Sequence, residues 1–168
     1  NFFLWVDTFD PHEPWDPPKW YVEKYDPNYE GEEIVYPIYG KCDYLSEKEL
    51  NHIRALYSGE VTLVDKWIGT LLRKIEDLGL FDNTMIIFTS DHGFYFGEHG
   101  YIGKSVISGS YFEYLPLYEE VAHIPLIIWV PGLNKAKTVD AFVQPPDITA
   151  TILDFAGIQK RDEIQGKS

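Results

Sequence analysis

Three short segments are apolar almost throughout: Phe2–Val6, Met85–Phe88 and Leu126–Val130. Runs without polar alternation suit strands covered on both faces, as in a parallel sheet under helices. Between the first two, Ile53, Leu56, Tyr57, Val61, Val64, Trp67, Ile68, Leu71, Leu72, Ile75 and Leu78 recur at spacings of mostly three and four. That stripe predicts one long amphipathic helix over residues 46–79. Ser46 with Glu49 reads as a capping box at its start, and Gly79 as its C-terminal stop. A second helix is expected after Pro145 and Pro146, ending before Gly157. Asp147 would be its N-cap, and Ile148, Ile152, Leu153 and Phe155 its buried side.

The order strand, helix, strand, strand, helix predicts an α/β fold with an open, mainly parallel sheet flanked by helices. All 168 residues are expected to form a single partial domain. Two connections are long. Residues 7–45 hold six prolines with many aromatics and acids, and residues 89–123 are rich in glycine and polar groups. Structureless connections of such length are usually functional, here an active-site or lid loop and a metal- or substrate-binding loop. Each begins at the C-terminal end of a predicted strand, where open α/β sheets bind ligands. D-T-F-D-P-H-E-P-W (residues 7–15) and T-S-D-H-G (89–93) are therefore expected to meet on one edge.

Composition narrows the possibilities. Apolar residues make up 45% and aromatics 16%, enough for a proper core. Fourteen basic against 27 acidic residues give a net charge of −13. Such a surface argues against nucleic acid or an anionic membrane as main partner, and a small anionic substrate would need a local positive site. No apolar run approaches the roughly 18 residues of a membrane span. The chain opens inside an apolar run without an initiator Met, so it is expected to be an interior piece of something longer. Cys42 is the single cysteine, which excludes an internal disulfide and a Cys-rich zinc site. With no base near it in sequence, it reads as incidental. No nucleophile elbow, Walker loop or dinucleotide fingerprint is present.

The candidate chemistry lies in the two loops. Asp91 and His92 offer a carboxylate and an imidazole that can ligate one cation if the backbone kinks, which Gly93 permits. The bland alternative is an Asx-type turn. His12 sits between two prolines, held where it could donate to an anionic substrate or protonate a leaving group, or where it merely stacks on aromatics. Lys104 could balance substrate charge, or be a solvated surface lysine. Glu98 and His99 could orient metal ligands or be turn residues. His52 and His123 are expected to be structural. Trp15, Trp20, Tyr21, Tyr25 and Tyr29 are expected to fasten their loop to the sheet rather than to stack on a sugar.

At these residues the chain resembles the sulfatase family of the alkaline-phosphatase superfamily, over nearly its whole length. Phe2–Trp15 is similar to the strand and loop ending in D-P-H-x-P. Tyr57, Val64, Asp65 and Leu78-Gly79-Leu80 match the family helix. Asp82-Asn83-Thr84 into I-I-F-T-S-D-H-G-x-x-x-G-E-H-G is the most specific part. Gly103-Lys104, Tyr118-Glu119-Glu120-Val121, Ile124-Pro125-Leu126 and V-Q-P-P-D-I-T-A-T-I-L-D-F-A-G-I complete the ordered set.

The resemblance implies one divalent cation, commonly calcium with magnesium or manganese as alternatives, at the C-terminal edge of the sheet. It implies Asp91 and His92 as metal ligands, Lys104 on the sulfate group, and His12 near the sulfate and leaving-group oxygen. The family nucleophile is a formylglycine made from Cys or Ser within C-x-P-x-R. This sequence has neither C-x-P-x-R nor S-x-P-x-R, and lacks the early strand with paired aspartates. It would thus carry half of a site for small sulfate esters and have no turnover alone. The stretch S-V-I-S-G-S-Y-F-E-Y-L-P-L after Lys104 is longer than in many members and is a candidate for shaping the pocket. Unpaired sheet edges could promote self-association. The alternatives are a phosphodiesterase or phosphonate monoester hydrolase of the same superfamily, or a non-catalytic domain with the same fold.

Overall fold

The structure is a computed structural model that describes residues 2–133 and 135–168. In chain order its elements are α1 (Lys19–Val22), β1 (Gly40–Lys41), α2 (Glu47–Asp77), β2 (Ile86–Thr89), β3 (Tyr95–Phe96), β4 (Tyr101–Gly103), β5 (Ser105–Ser108), β6 (Tyr111–Tyr114), α3 (Glu119–Ala122), β7 (Leu126–Trp129) and α4 (Pro145–Phe155). The class is α/β. Strands β2 and β7, two of the three apolar runs, pair with each other. A second sheet has the order β1-β4-β3, antiparallel throughout, with Gly40 opposite Ile102 and Tyr95 opposite Gly103. The long stretch after Lys104 is a β5–β6 hairpin, closed at Gly109 with φ +60°.

The segment Phe2–Val6 forms no strand, against expectation. Its five side chains are 62–69% exposed. A strand exists only where its N–H and C=O groups meet a neighbour's, and the described residues supply this segment with no ladder partner.

Helix α2 is the longest element. The Ser46 side chain accepts from Glu49 N–H at 3.3 Å, and Glu49 Oε2 accepts from Ser46 N–H at 2.8 Å and Ser46 Oγ at 2.6 Å. Those hydrogen bonds hold the Glu49 carboxyl below its usual value. The helix stops at Gly79, whose φ of +65° costs a glycine nothing. Only its first half is buried, through His52, Ile53, Ala55, Leu56, Gly59 and Glu60. Gly59 is required by the close approach of the proline loop: a Cβ there would lie 2.9 Å from Pro17 Cγ. Farther along, Val61, Trp67 and Leu71 remain exposed.

The chain divides into two compact units, each with its own packing. The first holds the residues up to Gly79 together with Phe88–Ile127. Its core gathers Trp15, Val22, Tyr39, Ile53, Leu56, Phe94 and Ile102, with a satellite of Tyr95, Leu115 and Val121. Trp15 and Tyr21 serve this interior, as expected; Tyr29 stacks on His52 at 3.5 Å, and Trp20 stays exposed.

The second unit, Leu80–Ile87 with Ile128–Ser168, is built on α4 and on Trp129, whose indole donates to the Phe81 carbonyl at 3.4 Å. Asp147 is not the N-cap of α4: the helix begins at Pro145, with Gln144 before it. Two prolines at the start lack N–H groups, and Asp147, third in the helix, closes a capping box with Gln144. The Asp147 carboxylate instead accepts from the N–H groups of Lys167 (2.8 Å) and Gln144 (2.9 Å), which lower its pKa. Within α4, Ala150 is the buried residue and Phe155 is exposed, so the expected buried face is only partly covered.

Candidate functional site

The site lies within the first unit. Strand β2 ends at Thr89, and Asp91 and His92 follow directly. Strand β4 ends at Gly103, and Lys104 follows it. Gly103 has φ +83°, and a Cβ there would lie 2.3 Å from the Tyr39 ring, so only glycine lets this turn press on the core. His12 comes from the loop of prolines, which Trp15 pins. The Trp15 N–H donates to Val35 O at 2.8 Å and its indole to Pro11 O at 3.1 Å. A core-anchored tryptophan thus fixes a histidine three residues away.

These elements bring the predicted residues together. Lys104 Nζ lies 2.7 Å from His12 Nε2 and 2.7 Å from His92 Nε2. Asp91 Oδ2 is 3.4 Å from His92 Nε2. Asp91 is 84% exposed and the two histidines about a quarter exposed, so the cluster opens to solvent on the Asp91 side. Asp91 Oδ1 also accepts from His92 N–H at 2.8 Å, so the Asx-like turn and the converging donors coexist.

Both imidazoles are oriented in the same way. His12 Nδ1 lies 3.1 Å from the Glu13 carbonyl, and His92 Nδ1 lies 3.1 Å from the Gly93 carbonyl. A carbonyl oxygen only accepts, so each ring carries its proton on Nδ1 and turns the Nε2 lone pair toward Lys104. The Lys104 ammonium donates to both. Gly93 has an ordinary φ, so what glycine supplies there is room rather than a kink. Its N–H donates to Val121 O at 2.9 Å, and a Cβ would lie 2.0 Å from Glu120 O.

Two contributors were not foreseen. Phe94 forms the floor, edge-on to His12 at 5.3 Å and to His92 at 5.2 Å, with Lys104 Nζ 5.3 Å from its ring centre. Its only signal in the sequence is an aromatic two residues beyond His92. Glu13 places its carboxylate oxygen 3.0 Å from His12 Nδ1.

The other candidates lie elsewhere. Glu98 Oε2 accepts from Phe96 N–H at 2.6 Å, and His99, at φ +56°, faces Glu120 at 3.3 Å and stacks on Tyr118. Both build the β3–β4 turn, and none of their described contacts is to Asp91 or His92. His52 is buried, with Nδ1 2.9 Å from Asp26, and His123 lies 2.8 Å from Glu119 on the surface; both are structural, as expected. Cys42 is a half-buried free thiol.

The Sulfatase family model matches residues 1–158. The chain belongs to the sulfatase family. It is 31% identical to an arylsulfatase of Clostridium perfringens over 99% of its own length and 36% of that protein's. It is 42% identical to an N-acetylglucosamine-6-O-sulfatase of Bacteroides thetaiotaomicron over 67% of its own length and 18% of that protein's. A solved structure of a phosphonate monoester hydrolase from Silicibacter pomeroyi superposes with a TM-score of 0.65 at 31% identity, over 73% of this chain and 22% of that one. This sulfatase chain thus spans about a third or less of the length of these relatives. Its fold is that of the alkaline-phosphatase-like hydrolases.

Sulfatases are in general metal-dependent. The donors present fit part of such a site. Two ligands bound to calcium at about 2.4 Å and at right angles lie about 3.4 Å apart, which is the spacing of Asp91 Oδ2 and His92 Nε2. The Gly93 carbonyl on Nδ1 is the kind of partner that orients a metal-binding imidazole. Among the described residues no third His, Cys, Asp or Glu joins them, so this sulfatase segment supplies two ligands of a larger set.

Proposed function

We propose that this chain carries the metal-binding and sulfate-contacting half of the active site of an enzyme that hydrolyses small sulfate esters. The observation that carries this reading is the convergence of His12 Nε2, His92 Nε2 and Lys104 Nζ within 2.7 Å contacts beside Asp91, in a chain of the sulfatase family.

The roles follow from the donors. Asp91 and His92 hold one divalent cation, preferably calcium, with magnesium or manganese as substitutes. When bound, that ion supplies Lewis acidity and positive charge at a sulfate oxygen. Lys104 places its ammonium where a second sulfate oxygen would lie, offsetting a molecule-wide charge of −13. His12 orients toward the ester oxygen that leaves and delivers a proton to it. Phe94 excludes water beneath these groups, which strengthens their electrostatics. The formylglycine of the family has no counterpart in this sequence, so the chain's own residues bind, orient and move a proton but do not attack sulfur. Purified on its own, the chain should release no sulfate from an aryl sulfate.

A second reading has a specific observation behind it, the likeness to a phosphonate monoester hydrolase. Sulfate and phosphonate monoesters share shape and negative charge, and one lysine with one cation suits either. The test is turnover by the full-length protein carrying this chain, with matched aryl sulfate and aryl phosphonate monoesters. A kcat/KM favouring the sulfate by tenfold or more supports the main reading. The reverse preference supports the second, and no turnover of either, with no metal bound at Asp91, leaves a non-catalytic domain.

A further inference from the structure

Two phenylalanine rings touch His12, and they differ in what else they do. Phe94 is 8% exposed and also meets Trp15, Tyr39 and Phe96, so it belongs to the core. Phe9 is 67% exposed. Its one aromatic contact among the described residues is the His12 ring, 4.7 Å away between centres and tilted by 45°. The main chain fixes its position all the same. The Phe9 carbonyl accepts from His12 N–H at 2.9 Å, which closes a turn over residues 9–12. His12 in turn holds Nε2 2.7 Å from Lys104 Nζ. Phe9 thus stands beside the site, one ring removed from the lysine.

A single exposed apolar side chain is ordinary on a protein surface. Phe9 is set apart by its place. Trp20 and Tyr114 are exposed too, but their described ring contacts are to Tyr21 and Phe112, away from the site. A phenylalanine left two-thirds in water also forgoes most of the burial that makes the residue useful in a core. Its ring offers a flat apolar face with no charge, strong donor or strong acceptor. Such a face suits another ring, either an aryl group or the C–H face of a pyranose. It offers little to a short, flexible alkyl chain, which has less area to lay against it.

We propose that Phe9 is a specificity-determining residue that stacks on a ring of the leaving group, so that the site prefers sulfate esters whose ester oxygen is borne on or next to a ring. With the sulfate group at Lys104 and the ester oxygen at His12, the first atoms beyond that oxygen lie against Phe9. The proposal rests on those two placements, made above, and on no change of protonation at any group. The stacking contact forms on binding and persists while the ester bond breaks. It therefore lowers KM for ring-bearing esters and leaves kcat little changed.

The test uses the full-length protein with Phe9→Ala and Phe9→Tyr. Three substrates are compared: phenyl sulfate, a pyranose 6-sulfate and propyl sulfate. In Phe9→Ala, kcat/KM on at least one ring-bearing ester should fall about three- to tenfold further than on propyl sulfate, the size of one aromatic contact. The loss should sit in KM, and Phe9→Tyr, which keeps the ring, should recover most of it. Which ester is affected tells the aryl ring from the pyranose. Losses equal on all three esters, no loss on any, or a loss confined to kcat would overturn the proposal. The melting temperature of Phe9→Ala should stay within about 2 °C of the parent, as for a surface substitution. A larger fall with equal losses would mean that Phe9 packs against another part of the protein, which also overturns the proposal. A parent protein that turns over none of the three esters defeats the sulfate-ester reading and this proposal with it. A parent that turns them over, with a preference that Phe9→Ala leaves unchanged, defeats the Phe9 proposal alone.

Discussion

Lys104 touches both histidines, and the proposal that its charge anchors a sulfate group rests on that contact. Lys104→Ala in the full-length protein should lower kcat/KM for a sulfate ester about 100- to 1,000-fold, the usual range for removing a transition-state charge contact. Steady-state kinetics check this, and a loss under threefold would return Lys104 to an ordinary surface role. Glu60 makes a separate prediction about stability. Burial, with smaller contributions from Asp10 and Asp16, pushes its carboxyl from 4.5 up to about 7. A carboxyl whose folded pKa is raised stabilises the fold fully below its unfolded value, and that stability is lost as pH rises through the folded value. Glu60→Gln should therefore match the parent in Tm at pH 4.5 and exceed it by about 2–4 °C at pH 8. A thermal melt series across that range decides the sign. At this scale residue type and position offered Asp91, His92 and His12 as candidates beside bland alternatives, Lys104 entered through the family resemblance, and the structure places the four side by side. The sequence did not announce Glu13 or Phe94, because whether a side chain folds back beneath its neighbour depends on packing that no spacing encodes.

At the scale of elements, Gly93 marks how closely α3 approaches the site. A Cβ there would lie 2.0 Å from the Glu120 carbonyl, so Gly93→Ala must push α3 away or rotate His92. The expected cost is about 3 kcal/mol, the upper end of overpacking effects, read by denaturant unfolding. A cost below 0.5 kcal/mol would mean that α3 is not held there. Helix α2 is legible in the sequence because its cap is local: Ser46 and Glu49 satisfy each other within one turn. Phe2–Val6 was not, because an apolar run becomes a strand only beside another strand. The start of α4 misled for a similar reason. Aspartate is a favoured cap, but two prolines shift the helix start to Pro145 and turn Asp147 toward Lys167, twenty residues later.

At the scale of the molecule, exposed apolar surface is extensive. Trp67 and Leu71 on α2, Tyr114 on β6, and Phe142 lie open, as does the whole Phe2–Val6 segment. Surfaces of this kind mark association sites or liabilities. The isolated chain should self-associate at micromolar concentration, and sedimentation showing only monomer would contradict that. No helix among the described residues is long and apolar enough to cross a membrane. With a net charge of −13, a sulfate anion would depend on Lys104 and on the cation proposed for Asp91 and His92, so the metal is the component to test. The most direct measurement is an anomalous-difference map from crystals of the full-length protein grown with manganese. The expected result is a peak within bonding distance, about 2.0–2.6 Å, of both the Asp91 carboxylate and His92 Nε2, with Lys104 beside it. A fully occupied metal elsewhere, with no density at Asp91 and His92, would contradict it.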